Sequence, residues 1–308
     1  MKRLITGFRF CDRVLNRVLN RQYTRALAPA RRWVVAGCVL LLLGLWTVRG
    51  VAQSRLPVRV DRWLAVQQLE GSVNFQRSGS SRSARAGDRL EQVGDGVVTG
   101  RASSTRLAVD TGVGFVDVTE NTQIRVERLD YAPDNGRITH LQVSQGQVRL
   151  QVRPFTHRGS ELEIRTPSGV SGVRGTVFGL SVQPDGKTGL ATLSGAVQST
   201  AQGQSVRVPA GYQNLTLVGE PPSPPEPLQD DTSFTYRLAR LIEGGNRRVR
   251  LIGQVDRVNS VLVDGEPQVT DRNGRFSLEF AAQAQLSVQV TVITPLGRQQ
   301  QHDITVEV

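Results

Sequence analysis

Past residue 38 the chain has no cysteine, because its two, Cys11 and Cys38, both lie near the N-terminus. Everything beyond them therefore lacks a disulfide, a thiolate zinc site and a thiol nucleophile. Histidine is almost as scarce. His140, His157 and His302 stand far apart, and none has a metal-ligand spacing. No G-x-S-x-G elbow occurs. Gly169-x-x-Gly172-x-x-Gly175 is glycine-rich, but it lacks the strand-to-helix setting of a nucleotide loop. Asp271-Arg272-Asn273-Gly274 has no downstream oxygen ligands and reads as a hairpin turn rather than a calcium loop, as does Asp134-Asn135-Gly136. Nine Phe, four Tyr and three Trp leave no aromatic strip for stacking sugars or bases. These gaps predict no catalytic residue, no cofactor and no metal ligand, and so a protein that is not an enzyme.

Acidic charge is missing from one end only. Residues 1–52 hold ten Lys/Arg against the single acid Asp12, and this segment accounts for most of the net charge of +11. The rest is nearly balanced, which excludes a phosphate-binding field and predicts no nucleic-acid partner.

Trp33 to Val48 runs sixteen residues without a charge, between Arg31-Arg32 and Arg49. It suits either a membrane anchor or a signal-peptide core, with Gly50-Val51-Ala52 as a small-x-small cleavage site. Both readings put the N-terminus in the cytoplasm and export the body, to the periplasm or cell envelope. The basic segment 1–32 shows arginines at every fourth position from Arg9 to Arg25, a pattern for an amphipathic helix on an anionic leaflet. The expected divisions are thus 1–32 cytoplasmic, 33–52 anchor or signal peptide, with the inner membrane contacted through 33–48.

The body alternates apolar and polar residues in short β-branched runs, such as Phe115-Val116-Asp117-Val118 and Gln147 to Val152. Turn residues recur between them. The pattern predicts an all-β fold, a β-sandwich or β-solenoid, over 64–218. An echo runs through it. Leu69-x-Gly71-x-Val73 is followed by Ala86-Gly87, Leu193-x-Gly195-x-Val197 by Ala210-Gly211, and Gly146-Gln147-Val148 is a partial third copy. Glu220 to Pro227 reads as a polyproline spacer within a linker at 219–231. Residues 232–308 then read as a short helix, with Phe234, Leu238, Leu241 and Ile242 on one face and Gly244-Gly245 as its stop, followed by a small immunoglobulin-like sandwich.

The most distinctive stretch is Thr166-Pro167-Ser168-Gly169-Val170-Ser171-Gly172-Val173-Arg174-Gly175-Thr176-Val177-Phe178. Val173 and Phe178 suit a core. Arg174, in an apolar setting, must pair with oxygens or reach solvent. This stretch resembles the signature of the FecR domain. Gly94-Asp95-Gly96 leading to Thr99-Gly100 resembles that domain's opening, and Gly195-Ala196-Val197 its close. The resemblance implies an all-β, extracytoplasmic module. In the family's founding members that module passes signals of iron-siderophore uptake from an outer-membrane receptor toward a sigma factor. It also implies that Thr166, Pro167, Gly169, Gly172, Val173, Arg174, Gly175, Thr176 and Phe178 shape the fold rather than form a site. The sequence departs from the founding members in lacking a cytoplasmic sigma-regulating domain ahead of residue 33 and in its immunoglobulin-like end. The expected function is an envelope binding, scaffold or signal-relay module whose partner is an envelope protein. A structural protein binding a cell-wall polymer is the alternative.

Overall fold

The computed structural model describes residues 62–244, 246–282 and 285–307. The segments expected to be cytoplasmic (1–32) and membrane anchor or signal peptide (33–52) lie outside these residues. Among the described residues every regular element is a strand, and no helix is long and apolar enough to cross a membrane.

The first seventeen strands form two layers joined by one long strand. They begin with β1 (Leu64–Glu70), β2 (Val73–Arg77), β3 (Ser80–Ser83), β4 (Arg89–Leu90), β5 (Gly96–Thr99) and β6 (Ser104–Val109). Then come β7 (Gly114–Val118), β8 (Gln123–Tyr131), β9 (Arg137–Val152), β10 (Glu161–Arg165), β11 (Val170–Val173) and β12 (Val177–Val182). Last are β13 (Thr188–Ser194), β14 (Ala196–Ala201), β15 (Gln204–Pro209), β16 (Tyr212–Thr216) and β17 (Glu226–Pro227).

The first half of β9 pairs with β8 and, in parallel, with β10. Its second half pairs with β7 and β12 in the other layer. One layer continues β10-β11-β14-β15, and the other continues β12-β13-β16. Inward side chains of both layers, among them Leu64, Phe75, Leu107, Ile124, Leu150, Ile164, Phe178 and Leu190, share one core. Of the two architectures expected, this is the sandwich.

The sequence echo marks the corners. Gly71 lies between β1 and β2, Gly195 between β13 and β14, and Gly146 at the bend of β9. All three have positive φ, at 70°, 80° and 91°. Each stands where the chain leaves one layer for the other. A Cβ on Gly146 would sit 2.2 Å from Thr122 Oγ1, so a side chain is refused there on both counts.

Residues 235–307 build the second sandwich from β18 (Thr235–Glu243), β19 (Asn246–Gln254), β20 (Ser260–Val263), β21 (Glu266–Gln268), β22 (Arg275–Ala281), β23 (Gln285–Ile293) and β24 (Gln299–Glu307). One sheet runs β18-β19-β22, the other β21-β20-β23-β24. Val249, Leu251, Phe276, Val288, Val290 and Ile304 fill the space between them.

Two expectations need correction here. The helix expected after residue 232 is strand β18, paired along its length with β19 from Thr235↔Gln254 to Glu243↔Asn246. The residues taken for its apolar face do not share a buried side, since Leu238 is 38% and Ile242 78% exposed. The glycine read as a helix stop, Gly244, has φ 57° and lies in the β18–β19 turn instead. Pairing with a strand distant in sequence overrides local periodicity.

The proline-rich stretch is not a free spacer either. Glu226 pairs with Gln213, Ser223 N donates to Leu215 O at 2.8 Å, and Leu228 N to Gly211 O at 2.9 Å. Glu226 also receives Arg257 of the second sandwich at 2.6 Å.

The two sandwiches therefore touch. Gly179 and Gly189 leave bare backbone on adjacent strands, against which the loops of the second sandwich lie. A Cβ on Gly179 would fall 1.8 Å from Pro295 O, and one on Gly189 2.2 Å from Val258 O. Around that flat patch Ser181 Oγ donates to Val258 O at 2.6 Å, and Gln183 Nε2 to Asn259 O at 3.0 Å. Thr270 N donates to Gln183 Oε1 at 2.8 Å. Lys187, fully buried, places its ammonium on Asp271 O at 2.8 Å and Thr270 Oγ1 at 2.5 Å. Burial pulls its pKa down from the usual lysine value to about 8, against the pull of Asp185, Asp271 and Asp256.

Candidate functional site

The distinctive stretch crosses the sandwich from one layer to the other, and its residues divide by direction. Val173 and Phe178 enter the core, Phe178 being fully buried. Thr166 is buried at the turn between β10 and β11; its N–H donates to Gly169 O at 2.8 Å, and Thr188 Oγ1 donates to its hydroxyl at 3.0 Å. Pro167 closes that turn at the surface. Gly169 passes so close to β14 that a Cβ would lie 2.6 Å from Thr200 O. Gly175, at φ 121°, is the corner toward β12, and a Cβ there would meet Pro154 Cα at 2.4 Å. Thr176 is buried, and its carbonyl accepts Val152 N at 2.9 Å.

The opening motif is also internal. Asp95 is buried, with Arg77 forked on its carboxylate at 2.6–3.1 Å and the Glu91 and Gln92 N–H groups donating to it. Burial alone would raise this carboxyl. The Arg77 fork and the two N–H donors outweigh it and hold the pKa below the usual aspartate value.

Arg174 and Gly172 behave differently, since both face solvent. Arg174 is exposed, and its Nη2 donates to the carbonyl oxygens of His157, at 3.4 Å, and Arg158. Of the two alternatives for this arginine, carbonyl pairing at the surface is the one found.

Register explains what lies beside Gly172. His140 on β9 is the partner of Glu163 on β10, Glu163 of Gly172 on β11, Gly172 of Gln198 on β14, and Gln198 of Arg207 on β15. All five point away from the core, because side chains alternate along each strand. They form one row across the outer face of the sheet. Arg158, Glu161 and Arg174 flank it, and the space enclosed is an open trough of about 450 Å³.

The wall at Arg158 and Arg174 is held by the loop before β10. Asp134 fixes this loop, accepting Gly159 N at 2.8 Å and Gly136 N at 3.0 Å. Those donors keep its carboxyl below the ordinary range.

The opposite end of the trough is acidic. His140 Nε2 shares a 2.5 Å hydrogen bond with Glu161 Oε1 and lies 3.8 Å from Glu163 Oε2. The three ligand-type atoms lie within 4.8 Å of one another, a cluster of a kind a divalent cation can use. No metal spacing is visible along the chain, because parallel pairing of β9 with β10 is what joins these residues.

The nine motif residues are thus not brought together. Seven serve turns or core, while Gly172 and Arg174 line the trough with Arg158, Glu161, Glu163, Gln198 and Arg207, and His140 stands beside it against Glu161. Sequence reading missed these six. The available signal was the outward phase of Glu161 and Glu163, together with a glycine at mid-strand where no turn is needed.

Comparison with known proteins covers the interior of the first sandwich. Residues 95–198 match the family model described as FecR protein. No curated protein matches the chain. Two crystal structures described as a candidate anti-sigma factor from Parabacteroides distasonis ATCC 8503 are similar at 15% identity, with TM-scores of 0.37 and 0.36. In each case 45% of this chain and 65% of the other are covered, so the likeness spans less than two thirds of those proteins.

Proposed function

From the premise that this chain contains a FecR domain, we propose that it is a non-enzymatic binding and signal-relay module acting in the cell envelope. The family match over residues 95–198 carries this reading. Three further features support it. The apolar run at 33–48, with positive charge ahead of it, would export the body and attach it to the inner membrane if uncleaved. The body carries little net charge, which suits a protein partner better than nucleic acid. The two sandwiches are docked through buried hydrogen bonds, so a partner held by one acts on a body that includes the other.

The test is an in-frame deletion of residues 62–308 in the native host. The expected result is a transcriptional change confined to a small set of genes, with the envelope intact. Leakage of periplasmic enzymes with no selective transcriptional change would instead assign a structural role. Mass measurement of the mature N-terminus in membrane and soluble fractions decides between anchor and signal peptide.

A further inference from the structure

Gly172 is a motif glycine that the fold itself does not require. Gly169 and Gly175 are dictated by backbone contacts, as described above. Gly172 does not adopt a positive φ, and a Cβ built on it meets nothing within 4 Å. It also sits in a strand hydrogen-bonded on both sides, to β10 and β14. A glycine there is less stable than alanine would be, because it loses more backbone freedom on folding. Glycine inside a strand often marks a place where something from outside comes close to the backbone.

We propose that Gly172 is the floor of a binding trough that takes an extended acidic segment of a partner protein. The chemistry of the walls selects that ligand. Arg158, Arg174 and Arg207 line the trough. Arg174 is bonded to carbonyl oxygens, and among the described residues Arg158 and Arg207 form no salt bridge. Guanidinium groups in this state are forks for carboxylates. At the other end Glu161 is engaged by His140, which leaves Glu163 to accept N–H groups.

A dianionic phosphate would meet two glutamates in the same space. A glycan would find no aromatic ring among the lining residues to stack on. A peptide carries both carboxylates and N–H donors, and so matches both ends. From Glu163 to Arg207 the row crosses three strand spacings, roughly 14 Å. That is the reach of about four extended residues.

The inference rests on the binding role proposed above and names its site and partner chemistry. The experiment uses the full-length chain and blocked tetrapeptides carrying zero, one or two glutamates at alternate positions, with titration calorimetry as the readout. The two-glutamate peptide is expected to bind at least about tenfold more tightly than the neutral one. Arg207→Glu should weaken that binding by about tenfold or more.

Gly172→Leu should keep the wild-type melting temperature and abolish binding, since its side chain enters open space on the trough floor. Should Gly172→Leu misfold, Arg207→Glu, a change at an exposed residue, decides alone. Equal binding of acidic and neutral peptides, or full binding by Arg207→Glu, overturns the proposal. So does displacement by polygalacturonate or inorganic phosphate at lower concentration than by peptide. A deletion strain whose transcription is restored by Gly172→Leu would sink the trough while leaving the relay role standing. A deletion with no transcriptional effect removes the relay role itself.

Discussion

Lys187 offers a sharp physical test of how the two sandwiches are joined. It is the only lysine beyond Lys2, and it is fully buried at the junction. Its ammonium lies on Thr270 Oγ1 and Asp271 O. Both acceptors have other donors, Gln183 Nε2 for the first and Gly274 N for the second. Burial takes its pKa from 10.5 to about 8. That shift amounts to roughly 3 kcal/mol of preference for the neutral amine in the folded state.

The sign follows from proton binding. Between pH 8 and 10.5 the unfolded chain holds a proton on this amine that the folded chain has released. Stability should therefore rise with pH across that window, by roughly 3 kcal/mol, and be flat in this contribution on either side. Nearby Asp185, Asp271 and Asp256 oppose the shift, and Arg257 adds to it. Tyrosine titration also enters this range, so the assay is a difference. Denaturant unfolding of wild type and Lys187→Met is measured from pH 7 to 11, and the rise should vanish in the variant. Nitrogen NMR of lysine-labelled protein gives the pKa directly, with only Lys2 as a second signal. A Lys187 titration near 10.5, or identical pH curves for the two proteins, would refute the burial argument.

Other outcomes follow from the same structure. Asp95→Ala should destabilise the first sandwich by about 2–4 kcal/mol, because it leaves Arg77 and two backbone N–H groups without their acceptor. In the wild type the Asp95 contribution is present above the normal aspartate pKa and is lost as pH falls through the depressed folded-state value, which acid unfolding compared with Asp95→Asn will show. Within the distinctive stretch, Phe178→Ala should cost about 3–5 kcal/mol, whereas Arg174→Ala, at an exposed site, should leave the melting temperature nearly unchanged. Gly179→Val drives a side chain into Pro295 O, so calorimetry should resolve two transitions in place of one; a single unshifted transition would contradict the docked arrangement.

The body's strands were legible because strand and turn chemistry is local. The turns expected at Asn273-Gly274 and Asp134-Asn135-Gly136 take the positive φ their residues favour, with Gly274 at 82° and Asn135 at 61°. The repeated glycines could be seen in the sequence, but their meaning could not. Only the layers show that Gly71, Gly146 and Gly195 are crossings between them. The Phe234–Ile242 stretch misled for the converse reason, since a helical spacing of apolar residues does not reveal that β19 is waiting to pair with it.

Amino-acid order alone thus determined the all-β class of the first sandwich, most turns and the family signature. Alternation and turn geometry are decided within a few neighbouring residues, so they can be read without a fold. The tertiary structure decided the register of five separate strands, and with it the row from His140 to Arg207. It also decided the burial of Lys187 and the docking of one sandwich on the other. These depend on which distant segments pair, and nothing in a strand's own composition specifies its neighbour.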